Sequence, residues 1–313
     1  MAANSNSTKT SFPGLDIRRA GQSLETVTTK AAVFRLLSSY PDLEILEGSI
    51  ALGERLHLIP LENPPYAATE VYYILSGQLS SDLPGQTLTV GPGDYLVAER
   101  LQDVAIFSAL SEVRFLYICS LPTFHQTSEA LSELKNLAVE VETKDGYTAN
   151  HCDRIQRLAY ATGKELGLSH HQLYQLDYGA YLHDVGKIKI PLSLLQKPGP
   201  LSTDEWPLFH QHPITGREML EQTFMKASGP IVEQHHERYD GSGYPYGLGR
   251  DEVRVESYIV AVADTYDAMT SNRPYRKARS KQEALDEIEG LTGQHYPTEV
   301  VKAFFSVLGH ESA

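Results

Sequence analysis

"LDYGAYLHDVGKIKIP", residues 176–191, closes a long apolar run with a histidine and an aspartate side by side. The run starts at Ser169, where "SHHQ" sets Ser169 and Gln172 at the spacing of a capping box. A helix is therefore expected from Ser169 to about Gly186, with His183 and Asp184 at its buried end. A carboxylate buried without a partner costs on the order of several kcal/mol or gives up its charge. A cation would resolve that, and Lys187 stands where it could reach an anion beside such a cation.

Working outward, other stretches carry the same residue types on helical faces. His151 opens "HCDRIQRLAYATGKEL" (151–166), one turn before Ile155 on the face of Leu158 and Ala159, and so points inward. "EWPLFHQHPITG" (205–216) holds His210 and His212, two apart and facing different ways; Pro213 marks a break after them, and periodicity does not choose between them. In "VEQHHERYDGSGYP" (232–245), His235 and His236 follow Ile231 and Val232 by four, over one apolar face, before a turn built on Gly241, Gly243 and Pro245. His170 and His171 form the same dipeptide, but in the first turn after a cap, where a solvated position is the default. "SYIVAVADTYDAMTSNRPYRKA" (257–278) is an apolar helix interrupted by Asp264 and Asp267, three apart on one face, with small Ala261, Ala263 and Ala268 beside them. Arg273, Arg276 and Lys277 follow, and arginine suits bidentate phosphate contacts.

Histidine with aspartate favours iron, manganese, nickel or zinc. The pool exceeds the four-ligand appetite of one zinc and suggests two metals bridged by a carboxylate. Such a pair activates a water and clamps a phosphoryl group. From the residues alone the site reads as that of a metal-dependent phosphohydrolase.

The 313 residues suffice for two domains, and 41% hydrophobic with 21% charged residues is an ordinary globular composition. A formal net charge of −13 argues against a broad basic face for duplex nucleic acid. Two cysteines, Cys119 and Cys152, make no disulfide framework, and neither a signal-like segment nor an apolar run of about 18 residues is present. A cytoplasmic protein without membrane contact is expected.

Residues 1–42 are expected to be a polar segment followed by a short helix, "AAVFRLLSSYP", stopped by Pro41. From about Leu43 to Leu121, short runs rich in Val, Ile, Tyr, Leu and Phe are broken by Gly, Pro and Asp, the spacing of a β-sandwich or small barrel. "EVYYILSGQLSSDLPGQTLTVGPGDYLVAE" (70–99) resembles the cupin family: Glu70, six residues and Gly77 match part of its first motif, "GPGD" part of its second. The resemblance implies an all-β barrel. "NPPYAAT" (63–69) stands where metal-binding cupins carry two histidines, so no metal is expected there and an unknown small-molecule ligand or a regulatory role is. "SEALSELKNLAVEVE" places Leu131, Leu134, Ala138 and Val141 at a/d-like spacing, a connecting helix within residues 122–146 that pairs either with a second copy in a homodimer or with its own domain.

"HDVGK", "HHERYDGSGYP" and "ADTYDAMTSNRPYRKA", in that order, resemble the HD-GYP family, cyclic di-GMP phosphodiesterases of the HD superfamily. The likeness runs from about residue 135 to 310 and implies an all-α catalytic domain over 147–313. It implies that His151, His183, Asp184 and Asp264 hold one metal, and that Asp184 bridges to a second held by His212, His235 and His236. That selects His212 over His210. It further implies that Lys187 contacts the scissile phosphate, that Asp267, Arg273 and Arg276 line the substrate groove, and that Tyr244 lies near the bound dinucleotide. Asp184 and Lys187 are the expected catalytic residues.

The expected reaction is hydrolysis of cyclic di-GMP to linear pGpG, with slow onward cleavage to GMP, by a metal-activated water; Glu237 or a metal-bound water would protonate the leaving oxygen. Iron or manganese leads among the metals, with zinc or nickel also compatible. Some HD-GYP proteins hold a third metal through a glutamate four residues before the first histidine. Here that place is Tyr147, and Glu142 and Asp145, nine and six residues before His151, lie off the one-turn spacing, so two metals are expected. The alternatives are a sensor that binds a cyclic dinucleotide without cutting it, and a phosphodiesterase for another one, such as cyclic GMP-AMP.

Overall fold

The computed structural model describes residues 8–9, 16–17, 19–60, 68–83, 86–124, 130–146, 150–272 and 277–310. The chain divides into two units, Met1–Ser132 and Glu133–Ala313.

The first unit is built of antiparallel strands. β1 (Thr8–Lys9) and β2 (Asp16–Ile17) pair with each other. The remaining strands are β3 (Glu25–Thr28), β4 (Ala32–Tyr40), β5 (Leu43–Ile50), β6 (Arg55–Leu58), β7 (Thr69–Ser76), β8 (Leu79–Leu83), β9 (Gln86–Val90), β10 (Tyr95–Glu99), β11 (Ala105–Ala109) and β12 (Val113–Cys119). They form a six-stranded sheet, β10-β7-β12-β5-β4-β3, and a four-stranded sheet, β6-β11-β8-β9. Alternation puts Leu46, Gly48 and Ile50 of β5 and Val113, Phe115 and Tyr117 of β12 on the inner face. They share one core with Leu56 and Leu58 of β6, Leu79 of β8 and Phe107 of β11. A fully buried side chain such as Ile74 or Leu79 contributes about 1.5–3 kcal/mol.

Two expectations are corrected here. The barrel is not closed: no ladder joins the two sheets among the described residues, and both are open. Residues 32–40 are strand β4, not a helix, and Pro41–Asp42 is the two-residue connection of a hairpin in which Tyr40 faces Leu43. A register shift between Leu36 and Ser38 interrupts the period of two, so Phe34 and Leu37 take on helix-like spacing.

Two carboxylates point inward, and each is satisfied. Glu44 accepts the backbone amides of Thr123 and Phe124, both at 2.8 Å. Glu70, the cupin-motif glutamate, accepts the Tyr117 hydroxyl at 2.6 Å and the Tyr72 hydroxyl at 3.4 Å. Burial raises the Glu70 carboxyl pKa although both hydroxyls oppose it. Residues 63–67 of "NPPYAAT" lie outside the described residues.

The second unit is helical. α1 (Ala130–Lys144) crosses the boundary between the units in sequence. α2 (His151–Glu165), α3 (His170–Leu182), α4 (Leu192–Leu195), α5 (Trp206–Phe209), α6 (His212–Leu220), α7 (Gly229–Gln234), α8 (Val255–Thr270), α9 (Lys281–Gly290) and α10 (Thr298–His310) follow. Ser169 caps α3, exchanging hydrogen bonds with Gln172 as its spacing predicts. The helix stops at Leu182, and Val185–Lys189 tightens into a 3₁₀ turn. α8 runs through the middle, against α2, α3, α7, α9 and α10, with Ile259, Val262 and Ala263 fully buried. Leu134, Ala138 and Val141 of α1 are buried, so the a/d-like stripe is covered from Leu134 on. No described helix is long and apolar enough to cross a membrane.

Candidate metal centre

His151 begins α2 because Asn150 takes the left-handed conformation (φ 82°) just before it, turning the chain into the helix. His183 and Asp184 follow the end of α3. Gly186 then passes so close to α6 that a Cβ there would lie 2.0 Å from the His212 carbonyl oxygen and 2.5 Å from the Gly216 nitrogen. That approach brings His212 beside Asp184. His235 and His236 directly follow α7, and the turn after them folds back tightly: a Cβ on Gly243 would lie 2.5 Å from the His236 carbonyl oxygen.

These residues form two groups. Ligating atoms of Asp184, His212, His235 and His236 all lie within 4.8 Å of one another, and so do those of His151, His183 and Asp184. Asp184 is common to both. Asp264 Oδ1 lies 3.7 Å from His151 Nε2. His170, His171 and His210 belong to neither group.

The tautomers follow from the partners. His183 Nδ1 lies 2.8 Å from the Ala180 carbonyl, His212 Nδ1 2.7 Å from Phe209's, and His235 Nδ1 2.6 Å from Val232's. A carbonyl can only accept, so each Nδ1 carries a proton, and in the neutral ring each Nε2 keeps the lone pair a metal would take. The Nε2 atoms of His183, His212, His235 and His236 are buried without a well-aligned hydrogen bond, as are Asp184 Oδ1 and Asp264 Oδ1; the nearest approaches to Asp184 oxygens are 3.4 Å for His183, 3.3 Å for His212 and 3.7 Å for His235. Native interiors rarely leave so many polar atoms unsatisfied. A donor set of imidazole nitrogens and carboxylate oxygens, held from behind and stripped in front, fits divalent transition metals, and both groups could hold one.

The charges agree. Burial opposes ionisation of Asp184, but Lys187 and His183 hold its carboxyl well below the usual range. Burial also works against a charged His183, yet Asp184 raises it to about 9, while burial lowers His212 to about 4. Both imidazoles stand close to the shared carboxylate, His183 Nε2 at 3.4 Å from Oδ2 and His212 Nε2 at 3.3 Å from Oδ1.

Several placements differ from expectation. Asp267 does not line an open groove; it is 3% exposed. Its carboxylate accepts from His151 Nδ1 at 2.7 Å and from both Nε and Nη2 of Arg154. Burial opposes that charge, but Arg154 and His151 hold the carboxyl at about 2. Lys187 is buried between Asp184 Oδ2 at 2.7 Å and Asp145 Oδ2 at 2.9 Å. Helical spacing sets Asp145 and Glu142 off the His151 face only for one continuous helix. α1 ends at Lys144, and both side chains line a water-sized cavity of about 10 Å³ with His151, Cys152 and Asp184. Glu237 is no free acid: its carboxylate accepts the amides of Tyr246 at 2.7 Å and Leu248 at 3.0 Å, closing the glycine-rich turn. Tyr244 stacks on His236 at 4.6 Å, and burial raises its phenol. Arg273, Arg276 and Tyr147 lie outside the described residues.

Arg154 was missed, although a signal existed. His151/Arg154 on α2 and Asp264/Asp267 on α8 are both i, i+3 pairs, and they interlock. Asp145 has no local signal; it meets Lys187 across 42 positions of sequence.

Residues 129–300, more than half of the chain, match the HD domain family model. The chain belongs to the HD domain family. Its "HHERYDGSGYP" turn places it among the HD-GYP members. Over 169 residues this HD-GYP chain is 40% identical to a cyclic di-GMP phosphodiesterase of Thermotoga maritima, covering 53% of itself and 46% of that protein. Over 173 residues it is 40% identical to the cyclic di-GMP phosphodiesterase response regulator RpfG of Xanthomonas campestris pv. campestris, covering 54% and 46%. Over 180 residues it is 32% identical to the 3′3′-cGAMP-specific phosphodiesterase 2 of Vibrio cholerae serotype O1, covering 56% and 34%. The HD-GYP chain thus spans about half or less of the length of these relatives.

Proposed function

We propose that the chain is a metal-dependent phosphodiesterase that opens cyclic di-GMP to linear pGpG. The observation that carries this reading is the meeting of two His/Asp groups at Asp184, with the Nε2 atoms of His183, His212, His235 and His236 left without well-aligned hydrogen bonds. On this reading His151, His183, Asp184 and Asp264 hold one divalent ion. Asp184, His212, His235 and His236 hold the second. Iron and manganese are the first candidates, and zinc or nickel suits the same donors. When bound, the two ions supply an activated water and positive charge at the phosphoryl oxygens.

The chain's own residues do the rest. Lys187 offers a cation beside the shared carboxylate, where negative charge builds on phosphorus-bound oxygen. Asp267 acts through His151 by fixing its ring. The carbonyls behind His183, His212 and His235 keep their lone pairs forward, so little reorganisation accompanies the reaction. The Glu237 carboxylate is engaged by its loop, and the leaving 3′-oxygen takes its proton from water. We read the first unit as a cupin-like regulatory domain, acting through dimerisation or a small-molecule ligand.

The relatives at 40% identity favour cyclic di-GMP. The Vibrio relative favours a second reading, a cyclic GMP-AMP substrate. The test is anaerobic metal loading followed by product chromatography with both dinucleotides. The expected result is two metals per chain and pGpG from cyclic di-GMP at the higher kcat/KM. Binding without turnover under manganese or ferrous iron would replace an enzyme by a sensor.

A further inference from the structure

Helix α5 carries the chain's one tryptophan, Trp206, and leaves it 44% exposed. The position is nevertheless fixed. Glu205 accepts the Ser202 amide at 2.6 Å and pairs with Lys197, and the Trp206 amide donates to the Ser202 carbonyl at 3.2 Å. The indole stands edge-on to Phe209 (6.1 Å between centroids, 85°) and tilted against His210 (5.1 Å).

Two lines of rings leave Trp206, and both end in the Asp184 group. Phe209 meets His212 at 5.3 Å. His210 stacks on Tyr244 at 3.9 Å and 13°, and Tyr244 stacks on His236 at 4.6 Å and 27°. The indole therefore sits on the wall that supplies the imidazoles, with nearly half of its surface accessible. Tyr246, another exposed aromatic in this unit, differs: its hydroxyl donates to Glu233 at 2.7 Å and its amide to Glu237, so it anchors its own loop.

A cyclic dinucleotide has two ends to satisfy: a phosphodiester that must reach the metal centre, and flat purines that gain from a π surface. We propose that Trp206, with the His210 imidazole beside it, is the platform on which one purine base stacks while the phosphodiester is held at Asp184. The inference rests on the phosphodiesterase reading and deepens it. Guanine and adenine both present a π face, so the platform supplies affinity and does not choose between cyclic di-GMP and cyclic GMP-AMP.

The single tryptophan makes the test direct. In the full chain, Trp206 emission should be quenched on mixing with cyclic di-GMP, both in EDTA and in the metal-loaded protein before turnover. In the metal-loaded enzyme, Trp206→Ala should raise KM roughly tenfold for both dinucleotides, with a smaller effect on kcat. Trp206→Phe should recover most of that loss. Turnover by the wild-type chain with unmoved emission, or an unchanged KM in Trp206→Ala, overturns the platform and leaves the phosphodiesterase reading standing. No turnover of either dinucleotide by the metal-loaded wild type overturns both.

Discussion

At the scale of single residues, Asp184 and Lys187 touch but answer to different tests. Asp184 belongs to both ligating groups. Asp184→Ala should empty the site and abolish turnover while the chain stays folded; metal content per chain and circular dichroism check it. Full turnover in that variant would end the two-metal reading. Lys187→Ala should keep the metals and slow turnover about 10²-fold, the usual loss for one transition-state donor. A metal-free Lys187→Ala would mean that the lysine holds Asp184 rather than the phosphate. Glu70 in the β unit makes a prediction about pH. Its pKa is raised by burial, so it favours folding most below the unfolded value near 4.5, and this contribution is lost as pH rises through the folded value. Glu70→Gln keeps an oxygen for the Tyr117 hydroxyl and removes the slope. At pH 7 the variant's β-unit transition should lie higher by roughly 4–8 °C per kcal/mol regained, with no gain at pH 4. Calorimetry of the full chain at the two pH values decides it.

At the scale of elements, two glycines give opposite expectations. A Cβ on Gly186 would strike the backbone of His212 and Gly216, which cannot rotate away. Gly186→Ala should cost about 3 kcal/mol and displace His212, lowering metal content, as read by denaturant unfolding and metal analysis. Gly290, at the end of α9, would meet nothing within 4 Å. Gly290→Ala should be neutral or stabilising by up to about 1 kcal/mol. Elements were legible in sequence where the signal is local. Ser169 and Gln172 announced the start of α3, and apolar residues four apart announced the inward face of His151. Strand β4 was hidden because a bulge breaks alternation. Asp145 and Glu142 were hidden because α1 ends at Lys144, which the spacing does not show. His212 was not separable from His210 by period, since both precede Pro213 and only the tertiary approach of Gly186 settles which is buried.

At the scale of the molecule, the order of a β unit before a helical unit was legible from texture alone. The openness of the sheets was not, because strand order depends on long-range pairing that no local pattern encodes. Two units should unfold in two steps. A ligand stabilises only the part that binds it. Chelation should therefore lower the transition of the helical unit by several degrees and leave that of the β unit in place. Calorimetry with and without EDTA checks this; a shift in both would place metal, or strong coupling, in the β unit as well.

The hydrogen bonds behind the imidazoles also bear on how the site tolerates genetic change. His183, His212 and His235 are aimed by carbonyls of the main chain. No substitution three residues upstream deletes a carbonyl, so point mutation has no simple handle on their aim. His151 is aimed by a side chain, Asp267, which is itself braced by Arg154. A lineage drifting away from catalysis therefore has an easy first step at Asp267 or Arg154 and hard ones elsewhere. The two halves of the centre differ in robustness, and decay should begin at the His151 half.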